Sequence, residues 1–473
     1  MSTADTRAPV SAVDPPDVNF ANNGPARLRR VLMIAPHFPP DTGAATHRVR
    51  LLAPHLREYG WEPTVLTVER SANEGRQDPE LESMVPRDLR VIRAHAWSAG
   101  WTRKLGIGDL GLRAFSGLYR EACRLLSSER YDALFITIFP TYPALLGPLL
   151  KSRFGTPFVL DYIDPWVSAW GKEVGGGRNG AVDLKSRLTR LLALGLEPIA
   201  IRAADAVTAV SAGTYDLIQQ RIPALSSMKC AAIPYGGDSA DFDYLRARPR
   251  ENRYFDRDDG DFHISYVGTL LPLGFDTLRA VLEALKLLRV RAPRVYDRVR
   301  IHFFGTSNQT SGSPQTRVLP VAHEIGVEDR VKEHPLRIDY LDALTVQVQA
   351  SAILLMGSTE PHYTASKLYP ALLAGRPLLA VYHAESSVSN AMKKVTAPPG
   401  AHLITYSQAD PPKNHVSEIA EALVSLVEHS SPGYLSWPQG ELDTFSARSL
   451  AGELARVFDS VADNADVTSQ HRQ

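Results

Sequence analysis

The chain has 473 residues, 44% of them hydrophobic, and carries 52 lysines and arginines against 52 aspartates and glutamates. That length exceeds one ordinary core and predicts two domains. The even charge balance argues against a nucleic-acid protein. No apolar run reaches the length of a membrane span: the longest, Leu188–Ala200, is interrupted by Arg190, Glu197 and Pro198.

Residues 1–27 hold no apolar core of the kind a signal peptide needs, and they read as a disordered tail. Residues 466–473 read the same way. From Arg30 onward, short apolar runs alternate with amphipathic stretches, the pattern of a parallel sheet with helical crossovers. In a first domain, residues 28–240, strands are expected at Val31–Ala35, Pro63–Val68, Ala133–Thr137, Phe158–Asp161 and Ala206–Val210. The loop Pro36–Thr46 follows the first strand and leads to a helix through His55–Tyr59 that stops at Gly60. Two prolines stiffen this loop, and Gly43 lets backbone approach a ligand closely. The plainer alternative is a strand-to-helix turn capped by Thr46. The segment Asp161–Trp166, D-Y-I-D-P-W, ends a strand with two carboxylates three apart. Asp164 precedes proline, which biases it to an extended conformation aimed out of the strand end, although Asp before Pro is also a common turn starter. Leu184–Ala203 sets Lys185, Arg187, Arg190 and Arg202 around an aliphatic face.

The polar stretch Arg246–Gly260 reads as a linker. A second alternation, residues 241–440, holds expected strands at His263–Val267, Val299–Phe304, Ala352–Met356 and Leu378–Val381, with a helix at Leu278–Arg291. Residues 441–465 contain an amphipathic helix, Ser446–Phe458, with Leu450, Leu454 and Val457 on one side. The fold class is therefore α/β, with two doubly wound units and a cleft at the carboxyl ends of their strands. Cys123 and Cys230 stand in no metal or redox spacing, which favours a reducing cytosol.

The most informative stretch is Thr359–Val381, T-E-P-H-Y-T-A-S-K-L-Y-P-A-L-L-A-G-R-P-L-L-A-V. A polar loop bearing Glu360 and Lys367 gives way to an apolar helix, Leu368 to Ala374, that stops at Gly375. The loop thus lies between a buried strand and a helix N-terminus, where free N–H groups and the helix dipole favour an anion. A lysine there suits a phosphate or diphosphate. The plain alternative is a solvated first-turn lysine.

This segment resembles the donor loop of retaining, nucleotide-sugar-dependent glycosyltransferases of family 4, which have the GT-B architecture of two Rossmann-like domains. The resemblance runs in order from about Arg30 to about Phe458. It includes the F-P-P loop with Gly43, the D-Y-I-D-P-W element, A-D-A-V-T-A-V-S-A-G-T with I-P-Y-G-G-D up to Asp238, and Y-V-G-T-L at Tyr266–Leu270. It implies an acceptor-side first domain, a donor-binding second domain and a last helix that crosses back onto the first. Within it, Glu360 lies near the donor sugar and Asp164 on the acceptor side of the cleft. Lys367, Ser366, Tyr363, Thr364, Gly268, Thr269 and Gly43 surround the donor, and Arg337 closes the segment Asp329–Arg337 that brackets the nucleotide base. His37 and Asp41 are further acceptor-side polar groups. The chain departs from the family at three points. Isoleucine replaces the arginine of D-x-R-D-P-W, Leu271-Pro272-Leu273-Gly274 stands where relatives often carry an arginine and a lysine, and Leu368 occupies the place of a second glutamate.

The activity so implied is transfer of a sugar from a nucleotide diphosphate sugar to a glycan or lipid-linked acceptor, with retention, in surface polysaccharide biosynthesis. No D-x-D metal motif is expected to serve it, and no cofactor beyond the donor substrate. A cytoplasmic protein is expected, with peripheral contact on the inner face of the membrane through Leu184–Ala203 and the upstream Trp101, Arg103 and Lys104. Two alternatives compete. One is a binding or assembly subunit that kept the fold and lost turnover. The other is a 2-epimerase, for which the cleft motifs lack a matching His/Glu set.

Overall fold

A computed structural model describes residues 27–167, 184–309, 312–359, 367–429, 435 and 437–470. Two parallel sheets organise them. The first has seven strands: β1 (Arg29–Ile34), β2 (Trp61–Val68), β3 (Arg90–Ala94), β4 (Ala133–Ile138), β5 (Phe158–Tyr162), β6 (Ala206–Ala209) and β7 (Lys229–Ala232). They lie in the order β3-β2-β1-β4-β5-β6-β7. The second has six: β8 (Phe262–Val267), β9 (Val299–Gln309), β10 (Val331–Leu336), β11 (Ala352–Met356), β12 (Leu378–His383) and β13 (Ala401–Tyr406), in the order β10-β9-β8-β11-β12-β13. Central strands such as β4 and β11 are buried along their whole length. Helices cover both faces of a parallel sheet, and such strands read as unbroken apolar runs.

In each sheet the order reverses once, between β1 and β4 and between β8 and β11. Ligands of doubly wound sheets bind in the crevice outside the strand ends at that reversal. Four of the expected site segments follow strands at or next to those points. Pro36–Ala45 follows β1, Asp164 follows β5 beside β4, Gly268 follows β8, and the loop leading to Lys367 follows β11.

One face of the first sheet is covered by α3 (Leu110–Ser128), α4 (Leu146–Phe154) and α5 (Leu184–Ala203). On the other face α1 (Thr46–Leu52) and the 3-10 turn Ala53–Tyr59 pack beside α11 (Ala447–Gln470). Leu450, Leu454, Val457 and Phe458 of α11 are buried among Val31, Met33, Trp61 and Phe135. Trp61 meets Phe458 edge-on, with ring centroids 5.2 Å apart, and its indole N–H donates to Asp459 at 3.0 Å. Burial of each of these side chains contributes about 1.5–3 kcal/mol, which holds the chain's last helix to the first domain.

The second sheet is covered on one face by α7 (Phe275–Arg291) and α10 (Val416–His429). Its other face carries α8 (Tyr340–Gln349) and α9 (Leu368–Leu373). Two shorter helices matter for the cleft, α2 (Pro79–Ser83) and α6 (Ser239–Ala247). The stretch Arg246–Gly260 is more ordered than a plain linker. Its first residues finish α6, Asn252, Asp256 and Asp259 each accept a backbone N–H two residues on, and Phe255 is buried against His263 and His302.

Candidate functional site

The first wall of the cleft is the loop after β1. Its centre is Asp41, which is buried, accepts from the Gly43 N–H and the Thr46 hydroxyl at 3.3 Å each, and pairs with His37. Burial works against this carboxylate, but the bonds from His37, Gly43 and Thr46 outweigh it and hold Asp41 below its ordinary range. Thr46 does not cap α1. It is the helix's first residue and its hydroxyl faces Asp41. The Gly43 N–H is already taken by Asp41, so in this conformation it is not offered to a phosphate.

The helix that follows, T-H-R-V-R-L-L, buries two arginines, which a short amphipathic helix seldom does. Arg48 forms a two-pronged pair with Asp161, at 2.8 Å from Nε and 2.7 Å from Nη2, and its Nη1 donates to the Ile233 and Pro234 carbonyls. Thr208 adds a bond to Asp161 at 2.6 Å. Asp161 is therefore the clamp between β5, α1 and the exit from β7. Asp164 stands apart: it is exposed, and the surrounding protein raises its carboxyl by desolvation. The carboxylates of D-Y-I-D-P-W thus divide into one structural and one open to the cleft. Tyr235, in the segment I-P-Y-G-G-D, is close enough to feel the charge of both. Its buried hydroxyl has no partner among the described residues. Nothing in the spacing of that segment singles out Tyr235; only the fold brings it to the two carboxylates.

Arg50 reaches the second half of the chain. It pairs with both oxygens of Asp241 on α6, at 2.8 and 2.7 Å, and lies 5.0 Å over the Tyr340 ring. The Tyr340 hydroxyl donates to the same Asp241 at 2.6 Å, and His47 packs on the Tyr340 ring at 4.6 Å. His47 is held neutral, first by burial and then by the nearby Arg50 and Arg337.

The second wall is built around Lys367. It sits at the N-cap of α9 and forms no ion pair among the described residues. Burial, and then the neighbouring Arg337, lower its ammonium to about 8. Its Nζ lies 5.9 Å from the Tyr266 ring centroid and so close to Gly268 that a Cβ there would stand 1.8 Å away. What Gly268 provides is room: its N–H is taken by the Phe304 carbonyl at 2.8 Å. The neighbouring Thr269 accepts from the Tyr266 hydroxyl through its carbonyl. Arg337, after β10, donates to the Thr42 carbonyl across the cleft at 3.2 Å. Burial lowers its guanidinium too, against the pull of Asp41. Beside it, Arg76 of the first domain pairs with Asp339 at 2.7 Å and donates to the Arg337 carbonyl at 3.2 Å.

The helix expected at Leu368–Ala374 runs from Leu368 to Leu373, too short for a strong dipole. Arg337, which the resemblance sets at the end of the segment that brackets the nucleotide base, lies within electrostatic reach of Lys367 and Asp41. Leu368 is buried in the core beside Tyr369 and Leu372, so no side chain at that position faces a ribose. Glu360, Tyr363, Thr364 and Ser366 lie outside the described residues.

Lys367 beside Gly268 and Arg337 near it are two desolvated cations with no ion pair among the described residues, at a reversal of the sheet order. Residues 43–236 match the family model described as a glycosyl transferase 4-like domain. The chain has the GT-B fold. Among solved structures it is similar to an α,α-trehalose-phosphate synthase (UDP-forming) from Burkholderia xenovorans in complex with glucose-6-phosphate, at 11% identity, covering 91% of this chain and 100% of that one with a TM-score of 0.55. A glycosyltransferase from Rickettsia africae matches at 11% identity over 93% and 100% of the two chains, with a TM-score of 0.54. The N-terminal domain of Candida albicans trehalose-6-phosphate phosphatase matches at 12% over 93% and 99%, with a TM-score of 0.53. Comparison of the sequence with curated proteins finds none that matches.

Proposed function

We propose that this chain is a glycosyltransferase that moves a sugar, with retention, from a nucleoside diphosphate sugar to a glycan or lipid-linked acceptor in surface polysaccharide biosynthesis. The observation that carries this is the pair Lys367, packed against Gly268, and Arg337, both desolvated and with no ion pair among the described residues. A diphosphate supplies the missing negative charge. The glycosyl transfer 4-like match of residues 43–236 and the UDP-forming activity of a similarly folded synthase point the same way.

In this reading the bond between the sugar's anomeric carbon and the diphosphate oxygen breaks first, and its electron pair stays on the phosphate. Lys367 and Arg337 stabilise that developing charge in a site that needs little reorganisation. The acceptor oxygen attacks the same face of the sugar and its proton passes to the departing phosphate oxygen. Glu360 steadies the positive sugar, and Asp164 with the Tyr235 hydroxyl orients the acceptor. The free thiols of Cys123 and Cys230 suit a reducing cytoplasm.

One observation favours a second reading, a donor-binding subunit with weak turnover: Leu368 leaves the ribose without the family's carboxylate. The deciding experiment is a thermal-shift screen of UDP, GDP, ADP, dTDP and CMP and their sugars, with Lys367→Ala alongside, followed by donor hydrolysis and transfer assays. A shift with one nucleotide that is lost in the variant supports the anion site. Turnover with that donor supports the transferase, and binding without turnover supports the subunit. No shift with any nucleotide sinks both.

A further inference from the structure

Of the fifteen large apolar side chains exposed among the described residues, eleven lie between residues 97 and 199. They lie on, or in the turns beside, the helices α3, α4 and α5 that cover one face of the first sheet. The short helix Ala99–Thr102 and its flanks present Trp97 and Trp101, 49% and 53% exposed, with their rings stacked 5.4 Å apart, and Leu105 at 63%. This corner is fixed to α3: Arg113 donates to the Trp97 carbonyl at 2.9 Å, and the Trp97 indole N–H donates to Ser116 at 3.1 Å. Next along the layer, α3 packs on α4 and α4 on α5. On α5, Leu191 is 65% and Ile199 54% exposed.

The charge of this layer is one-sided. Residues 97–128, 139–154 and 184–203 carry eleven lysines and arginines against three carboxylates, in a chain whose total is balanced. Arg113 is buried, and Arg103 with Glu74, Arg124 with Glu121 and Lys151 with Asp205 form ion pairs, while Lys104, Arg120, Arg153 and Arg202 are exposed. The three carboxylates are internally engaged. Asp109 caps α3, Glu121 pairs with Arg124, and Glu197 is fully buried between Tyr162 and Arg221. Exposed apolar rings and leucines bordered by basic side chains complement one surface best, apolar chains beneath a negative headgroup plane. No helix among the described residues is long and apolar enough to cross a membrane, so this layer would lie on a bilayer, not through it.

We propose that the α3–α4–α5 layer docks on an anionic lipid bilayer, with Trp97 and Trp101 at the headgroup level and the α5 leucines alongside. This deepens the glycosyl-transfer reading by naming where a lipid-linked acceptor enters, and it rests on that reading only for the acceptor. The tryptophan pair is fixed to α3, whose first turn packs through Gly111 against Pro140 and Pro143 after β4. Docking there brings the bilayer close to the strand ends that border the cleft.

The test uses the full chain, with no nucleotide present, in co-sedimentation with phosphatidylcholine vesicles with and without about 30% phosphatidylglycerol, the anionic lipid supplying the surface potential. A triple variant, Trp97→Ser with Trp101→Ser and Leu191→Ser, and a charge variant, Arg103→Glu with Lys104→Glu, are run beside it. Their melting temperatures and size-exclusion profiles are recorded. The expected result is binding to the anionic vesicles, weakened by salt and at least tenfold weaker in each folded variant. Wild-type protein that stays in the supernatant with anionic vesicles overturns the proposal. So does a triple variant that binds as well as the wild type. A wild-type dimer that becomes a monomer in the triple variant would instead assign the face to a second copy of this chain. The nucleotide-dependent thermal shift, measured without vesicles, is expected to survive in both variants. Vesicle binding without any nucleotide shift would leave this docking face standing and remove the transferase reading.

Discussion

The ammonium of Lys367 rests against the bare backbone of Gly268, so closely that a Cβ on Gly268 would stand 1.8 Å from Nζ. The two residues come from different strand ends, after β8 and after β11, and meet where the order of the second sheet reverses. An alanine would meet the far end of this lysine and would also strain the backbone, because Gly268 has φ +158°. Gly268→Ala is expected to lower affinity for a nucleoside diphosphate about tenfold, the loss of roughly one charge-assisted hydrogen bond, and to lower the melting temperature as well. Calorimetric titration with the nucleotide checks it, and an unaltered affinity would detach Lys367 from the donor.

The same lysine sets a pH limit. Its folded-state value lies at about 8, below the usual lysine range, because burial and then Arg337 disfavour the charge. A diphosphate binds the protonated form. Affinity should hold steady below neutrality and decline as pH rises through about 8. In Arg337→Ala the neighbouring cation is gone, so overall affinity falls while the break in the profile moves to higher pH. It stops short of the free lysine value, since burial is the larger cause. A break that stays in place would show the two cations to be uncoupled.

Asp161 and Arg48 test structure in isolation. Both are fully buried, and removing the carboxylate leaves the guanidinium with only the Ile233 and Pro234 carbonyls. Asp161→Ala is expected to destabilise the first domain by about 3–5 kcal/mol, the usual consequence of stranding a buried charge. Denaturant unfolding followed through the tryptophans of that domain reads this out. A stability within experimental error of wild type would show that the pair is dispensable.

Asp164 is expected to behave in the opposite way. It is exposed at the end of β5, and its carboxyl is raised by desolvation. Asp164→Asn should reduce turnover about a hundredfold, the scale of a lost acid–base or orienting group, while donor affinity stays within about twofold. Equal loss of both, or of neither, would return Asp164 to a structural role.

Much of the fold was legible because parallel strands buried on both faces announce themselves. Ala352–Met356 is β11 residue for residue, and Ala133–Thr137 and Phe158–Asp161 fall one residue short of β4 and β5. The strands that escaped notice lie toward the edges. R-V-I-R-A in β3 and V-K-E-H-P-L in β10 carry charges because one side of an edge strand faces solvent. At the site, Lys367 and Gly268 were visible through the motifs that hold them. The roles of Arg48, Arg50 and Tyr235 were not. A buried arginine looks like any surface arginine until its carboxylate is found, here 113 and 191 residues away. The reach of Arg337 to the Thr42 carbonyl was hidden for a related reason: its position along the chain says nothing about which wall of the cleft it crosses to.

That crossing has a kinetic consequence. The Arg337 guanidinium holds the Thr42 carbonyl, while Arg76 grips Asp339 from the opposite side. The Arg337 bond occupies one of the five guanidinium N–H groups and leaves the others for a phosphate, while together with Arg76–Asp339 it ties the two domains across the cleft. Where nucleotide entry requires those ties to part, association should level off at high nucleotide concentration. Arg76→Ala, which loosens the latch without touching either cation of the site, should raise that plateau and shorten the residence of the bound nucleotide.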